Sequence, residues 1–424
     1  MKQYDNYIDS EIEWIGSYPK DWTLMTVRRI TDDHKQGYYS SEEYKEKGYK
    51  LVRITDLDIN GNINISKSPY VNPNEKEIQI FEIRKGDILF PRTGSIGLIG
   101  VAKEDMKAVF ASYLIRFRFK TNTYNTFMRY YFMSDVFLNG LFSDLHGGVN
   151  QNIHAENIKD QYLVLPSKKE QTQIANYLDH KTTQIDTLIA KKEQFINLLQ
   201  EERTALINQS VTKGLDPTVP MKDSGIEWLG EIPEHWEVKK LGFVFKSLNT
   251  KRIPLSAEER GIMESRTYDY YGASGIIDKV ENFLFDEDLI LIGEDGANLL
   301  TRSKRLVFIA TGKYWVNNHA HIIRPIEGNL NYYCELLELI DYSIYITGSA
   351  QPKLTQEALM SIKIVAPPLI EQNEIYSFIS DEMNKIDSLI SKAKQEIELL
   401  KEYKTALISE VVTGKIDVRN VVLN

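Results

Sequence analysis

The stretch Asp9-Ser10-Glu11-Ile12-Glu13-Trp14-Ile15-Gly16, followed by Pro19 and Trp22, returns as Asp223-Ser224-Gly225-Ile226-Glu227-Trp228-Leu229-Gly230, followed by Pro233 and Trp236. Residues 9–22 and 223–236 are identical at eight of fourteen positions, an offset of 214. The chain has five tryptophans, and four of them lie in this motif. So rare a residue does not recur in register by chance, which makes the chain an internal repeat. A second repeat has an offset of 201: Pro166, Glu170, Gln171 and Ile174 match Pro367, Glu371, Gln372 and Ile375. The match continues through Ile185-Asp186 with Ile386-Asp387 and Thr204 to Ile207 with Thr405 to Ile408, ending at Val211-Thr212 with Val412-Thr413. The segments between these repeats align poorly. The chain therefore reads as a shared frame carrying two differing modules, a pseudo-two-fold arrangement with circular closure.

The second repeat predicts helix. Leu178, Ile185, Lys192, Leu199 and Leu206 recur every seven residues, as do Ile379, Ile386, Ala393, Leu400 and Leu407. Leu188, Phe195, Leu389 and Tyr403 are read as the neighbouring seam position, with charged residues between. Pro166 and Pro367-Pro368 fit helix entrances, and Gly214 and Gly414 fit helix ends. A helix from about 174 to 207 spans roughly 50 Å at 1.5 Å per residue. One amphipathic stripe of that length cannot bury itself, so the two helices are expected to pack as an antiparallel coiled coil.

The modules, about 23–165 and 237–365, read as compact α+β domains. Strand candidates are Ile88-Leu89-Phe90 and Leu114 to Phe119 in the first, and Leu289 to Ile292, Leu306 to Ile309 and His321 to Ile323 in the second. Helical spacing runs from Tyr124 to Leu141 and from Tyr332 to Tyr342. The expected division is 1–165 and 216–365 for two recognition domains, with 166–215 and 366–424 as helical spacers.

Composition narrows the function. The chain has 424 residues and 51 basic against 60 acidic side chains, a net charge of −9. Alone, that balance argues against a protein that coats nucleic acid. The acids concentrate in the frame, however: residues 1–22 hold five acids and two bases, and residues 223–236 hold four acids and no base. Within the modules, positive residues cluster at Arg84-Lys85, Arg92 and Arg116-Arg118-Lys120, and at Lys251-Arg252 and Arg302-Lys304-Arg305. Local patches of this kind bind phosphates despite a negative total. A single cysteine, Cys334, excludes a disulfide framework and points to a reducing compartment. No apolar run reaches the roughly 20 residues that span a bilayer, so no membrane association is expected.

Catalytic motifs are missing. No phosphate-binding Gly-x-x-x-x-Gly-Lys-Ser/Thr, dinucleotide fingerprint or adenine-methyltransferase motif is present. His319-Ala320-His321 lacks further ligands nearby, so neither a metal site nor a catalytic residue is expected. The informative positions are glycine-punctuated loops rich in Arg, Lys, Asn, Gln and Ser, the residue types that bond base edges and phosphates. The candidate DNA-binding residues are Arg92, Thr93, Ser95, Arg116, Arg118, Asn150 and Gln151 in the first module. In the second they are Ser274, Asn298, Arg302, Lys304, Asn317, Asn318, His319, Gln351 and Lys353. A protein-binding scaffold would account for the coiled coil but not for such paired loops, and a nuclease would need an acidic metal cluster.

These motifs together resemble the specificity subunit of a Type I restriction–modification system, over nearly the whole chain. Ile12 to Trp22 and Ile226 to Trp236 look like the family's domain-opening motif. Lys85-Gly86-Asp87-Ile88-Leu89 through Arg92-Thr93-Gly94-Ser95-Ile96-Gly97 is similar to one type of recognition domain. Tyr271-Gly272-Ala273-Ser274-Gly275, Gly293 to Asn298 and Gly348 to Leu354 resemble another. Pro367 to Gln372 is similar to the entrance of the family's central helices, with one proline missing at Pro166-Ser167. The resemblance implies two target-recognition domains, each reading half of a bipartite asymmetric site in double-stranded DNA. It implies that the helices fix the gap and dock two methyltransferase subunits, which use S-adenosylmethionine. It also implies restriction subunits that use ATP and Mg, no cofactor in this chain, and a place in a bacterial or archaeal cytoplasm. Partners that share the phosphate contacts would explain the acidic balance.

Overall fold

The computed structural model describes residues 2–39, 43–95, 97–120, 124–143, 152–348 and 352–423. The chain falls into two compact units, Met1–Glu193 with Lys394–Asn424, and Gln194–Ala393. The C-terminal stretch thus belongs with the N-terminal module: the Asp417 N–H donates to the Lys2 carbonyl, and the Tyr7 hydroxyl donates to the Gly414 carbonyl. No helix among the described residues is long and apolar enough to cross a membrane.

The first module holds two four-stranded sheets. One runs Thr31–Gln36, Leu114–Phe119, Ile88–Pro91, Gly100–Val101, all antiparallel. The other runs Tyr70–Val71, Tyr49–Val52, Met106–Phe110, Glu82–Ile83, with a parallel pair at its centre. The second module repeats both arrangements. Its antiparallel sheet runs Phe245–Ser247, Ala320–Pro325, Leu289–Gly293, Val307–Ala310. Its mixed sheet runs Gly275–Val280, Tyr268–Gly272, Lys313–Val316, Phe285–Asp286, again with the central pair parallel. The modules that align poorly in sequence therefore share one topology. The apolar strand candidates all lie in or beside strands of the antiparallel sheets. The strand Lys313–Val316 leads directly into the loop candidates Asn317, Asn318 and His319.

Burial explains why these strands form. Ile88–Pro91 and Leu289–Gly293 are buried along their whole length, as expected for continuous apolar runs. In the first module, Phe90, Phe132 and Phe137 interlock edge to face at centroid distances of 5.1 Å and 4.8 Å. The aromatic helical stretch is two helices, Asn125–Met133 and Asp135–Ser143, interrupted at Ser134.

The frame is repeated in detail. The long helices run Lys168–Lys213 and Leu369–Val412, further at both ends than the heptads alone predicted. In the first unit Asp186 meets Lys404 and Lys192 meets Glu396, so the paired helices are antiparallel. In the second unit Arg203 meets Asp387, while Leu206 and Ile207 join the core containing Ile375 and Ile379. Leu178, Ile185, Leu199, Ile379, Ile386 and Leu407 are buried, and Leu400 packs against the first unit's core. Leu188, Phe195, Leu389 and Tyr403 are exposed instead. The seven-residue row occupies the seam position whose neighbour lies four residues on, not three. Thr182, Ile196, Ile397 and Val411 are the buried neighbours.

Each long helix ends against a repeated tryptophan. Gly414 (φ +75°) would bring a Cβ to 2.4 Å from Pro19 Cγ and 3.2 Å from the Trp22 ring. Gly214 (φ +77°) would bring one to 3.3 Å from the Trp236 ring. Both glycines satisfy the left-handed helix terminus and leave room for the indole. At the helix entrances Gln171 and Gln372 are buried brackets. Their Nε2 groups donate to the Pro166 and Pro367 carbonyls at 2.9 and 2.7 Å. Their Oε1 atoms accept the N–H of Tyr124 and Asn329 at 2.8 and 2.9 Å, which fixes the residue that precedes one module helix in each unit.

Candidate nucleic-acid interface

In each module several loops converge where the central strands of the antiparallel sheet end. In the first, the Arg92 N–H donates to the Tyr113 carbonyl and the Arg92 carbonyl accepts the Ile153 N–H, both at 2.8 Å. In the second, the Glu294 N–H donates to the His319 carbonyl and the Glu294 carbonyl accepts the Leu354 N–H, also both at 2.8 Å. Arg92 and Glu294 therefore hold the same backbone position, as do Tyr113 and His319. Sequence alignment cannot find this correspondence, because the paired side chains have nothing in common.

The first module presents a cation there. Arg92 is half-buried and makes no ion pair among the described residues; Thr93 is also half-buried and Ser95 is exposed in the same loop. Tyr113 is exposed beside them. Arg116 and Arg118 are a correction. Arg116 is only 1% exposed, ion-paired to Asp33 and donating to the Ile80 carbonyl at 2.8 Å. Arg118 grips Asp87 through two bonds of 2.7 and 3.1 Å. Both point from one face of the strand Leu114–Phe119, and the strand Glu82–Ile83 and the turn at Asp87 cover that face. Alternation marked the face as polar and solvent-facing, but Arg116 is buried on it and Arg118 is half-buried, and both are committed to ion pairs within the module. Asn150 and Gln151 lie outside the described residues.

The second module presents a network. Glu294 is buried and ion-paired to Arg252, with Lys353 at 3.2 Å and His321 at 3.5 Å. Burial alone would raise the Glu294 carboxyl; the bond from Arg252, with Lys353 beside it, outweighs burial and holds it below its ordinary value. Arg252 also donates to the Ala320 carbonyl at 2.8 Å and the Asn249 carbonyl at 3.1 Å, tying together segments distant in sequence. His321 is buried, and burial lowers its pKa. A neutral ring fits its contacts: Nε2 donates to the Leu354 carbonyl at 2.7 Å, and Nδ1 accepts from Asn249 Nδ2 at 2.8 Å. Exposed His319 bonds through Nδ1 to Asp295 at 2.8 Å. The two histidines thus have separate partners. Among the described residues no group of three or more His, Cys, Asp or Glu is placed to hold a metal ion.

The other candidates divide between surface and brace. Asn318 and Lys304 are exposed, and Ser274 forms the turn between the strands Tyr268–Gly272 and Gly275–Val280. Asn298 braces its own loop: Oδ1 accepts the Lys304 N–H at 3.0 Å and Nδ2 donates to the Lys304 carbonyl at 3.2 Å. Arg302 is anchored on the Glu338 carbonyl, and buried Asn317 accepts the His319 N–H at 2.8 Å. Lys353 extends its ammonium to Glu294 and stays half exposed. Gln351 lies outside the described residues. Arg252, Asn249, Glu294 and Tyr113 were not among the candidates. Only the Lys251-Arg252 basic pair and the Gly293-Glu294-Asp295-Gly296 loop pointed toward them.

Comparison with known proteins gives a consistent result. Residues 19–198 and 233–399 match the model of the Type I restriction modification DNA specificity domain. The chain is 27% identical to the putative type I restriction enzyme MjaX specificity subunit of Methanocaldococcus jannaschii, over 96% of each chain. It is 25% identical to the MjaVIII specificity subunit of the same organism, over 97% of this chain and 94% of that one. Two solved structures share the fold. One is the HsdS subunit from Thermoanaerobacter tengcongensis, with TM-score 0.55, 16% identity and coverage of 96% and 100%. The other comes from work on complex assembly and conformational transition of the type I R-M system, with TM-score 0.65, 15% identity and coverage of 94% and 99%.

Proposed function

The chain belongs to the Type I restriction modification DNA specificity domain family, and on that premise we propose that its two modules read the two halves of a bipartite, asymmetric site in double-stranded DNA. The observation that carries this reading is the matched backbone position of Arg92 and Glu294. One scaffold presents unlike side chains at the same place, as two readers of different sequences require. Direct readout needs donors and acceptors aimed from a rigid base, because each well-placed pair to a base edge contributes about 1–3 kcal/mol of discrimination. The first module offers Arg92, Thr93, Ser95 and Tyr113. The second offers Asn318, His319, Lys353 and Lys304 around the buried Glu294–Arg252 pair.

In this reading the chain supplies the address and partner subunits supply the chemistry. Two methyltransferase subunits would use S-adenosylmethionine on adenine, and restriction subunits would use ATP and Mg. The paired helices would dock those partners, and the partners would share the phosphate contacts that an acidic chain makes poorly alone. Mapping methylated adenines in the host genome with and without this gene tests the proposal. The expected result is one bipartite motif that disappears with the gene. Exchanging residues 237–365 for another family member's second module should change one half of that motif only. A change in both halves, or no motif, rejects the assignment of one half-site to each module.

A further inference from the structure

A cleft of about 760 Å³ lies within the first unit, away from the reading loops, between the module and the long helices. Five basic side chains line it, against two carboxylates, Asp179 and Asp186. Both acids already have cationic partners: Asp179 pairs with Arg129 and accepts the Tyr130 hydroxyl at 2.7 Å, and Asp186 pairs with Lys404 at 2.7 Å. Lys85 and Lys103 are exposed at the rim. The turn that carries Lys85 is pressed against the helix start, since a Cβ on Gly86 (φ +89°) would sit 2.2 Å from Asn125 Nδ2. Arg129 is only 8% exposed, yet its Nε–H has no partner among the described residues. The bases outnumber the acids in the lining, and an excess of positive charge in a concave site favours an anion.

We propose that this cleft holds a phosphate group, with Arg129 at its floor and Lys85 and Lys103 at its rim. The site is separate from the half-site readers and goes beyond their role. The phosphate can come from the DNA backbone or from a free nucleotide, and one pair of measurements separates these sources. The full chain, assembled with its methyltransferase subunit, is compared with the double variant Lys85→Gln/Lys103→Gln. Affinity for a 30-base-pair duplex lacking the target motif is followed against salt, and ATP binding is titrated by calorimetry. Two contacts to backbone phosphates predict that the variant's log–log salt slope is shallower by about two. A nucleotide site predicts saturable ATP binding that the variant loses, with the salt slope unchanged. An unchanged slope together with no ATP binding to the native chain overturns the proposal. Equal melting temperatures for the two proteins exclude misfolding as the cause. Loss of sequence preference on the target duplex would reject the half-site reading but leave these two measurements valid.

Discussion

At the exit of one central strand the first module carries Arg92 and the second Glu294, although the main-chain hydrogen bonds around them are the same. The first uses a single cation without an ion-pair partner among the described residues. The second places a buried acid there and gathers Arg252, Lys353 and His321 around it. Both arrangements leave positive charge at the edge, but they are built differently. The difference teaches that topology fixes where a side chain is presented, while the loops decide whether that position is a contact or a keystone. In the first module the position should matter to binding alone; in the second it should matter to folding first.

The largest expected effect tests the keystone. Glu294→Gln leaves the nearly buried Arg252 without its counter-ion, and breaking such a pair costs about 3 kcal/mol. Urea denaturation should show that loss, and methylation should lose the second half of the motif. A variant as stable as the native chain would refute the keystone role. Arg92→Ala is the counterpart. Its stability should change by less than about 0.5 kcal/mol. Preference at the first half-site should weaken by about 2 kcal/mol if the guanidinium meets a base. If affinity falls evenly for every sequence, Arg92 touches phosphate.

The next effect depends on pH. Burial lowers the folded-state pKa of His321, so at mildly acidic pH the unfolded chain binds a proton that the folded chain does not. Its contribution is therefore complete above the ordinary value of about 6.5 and shrinks as pH falls below it. The loss is about 1.4 kcal/mol per pH unit until the lowered pKa is reached. Melting curves at pH 7.5 and 5.5 should show a larger drop in the native chain than in His321→Gln. His34 in the first unit shifts in the same direction, chiefly through burial, so the difference between the two proteins isolates the second module. Equal drops would mean that His321 does not titrate as its contacts imply.

The frame and the heptad rows were legible because few physical solutions exist for them. A tryptophan motif that closes the same turn twice, with Ser10 to Gly16 and Ser224 to Gly230 both at 3.0 Å, must repeat in sequence. Gln171 and Gln372 repeat for the same reason: each satisfies a carbonyl and an N–H at a helix entrance. The buried apolar strands were legible as well. The mixed sheets were not, because Tyr268–Gly272 and Lys313–Val316 intersperse polar, aromatic and glycine residues in a way that imitates loops. The neighbouring seam position was placed three residues from the row instead of four, since an exposed Leu188 and a partly buried Ile189 look alike until a partner helix chooses between them. Arg116 failed for a related reason. A polar strand face reads as solvent until the chain covering it is known. Arg252 and Glu294 lie 42 residues apart, and nothing local in the sequence announces such a pair.

The smallest effect concerns Lys304. It is exposed at the end of a loop that Asn298 holds in shape through both of its amide atoms. Held at that position, the ammonium is a flexible point charge, suited to a phosphate rather than a base edge. Lys304→Gln should weaken binding slightly and equally for all duplexes, and make the salt slope shallower by about 0.9. Sequence preference and melting temperature should not change. Asn298→Ala should differ, because loosening the loop moves whatever it presents and should blur the second half-site. If Lys304→Gln itself altered that half-site, the loop would be a direct reader. The contrast would then narrow, since the second module, like the first, would read with an unpaired cation.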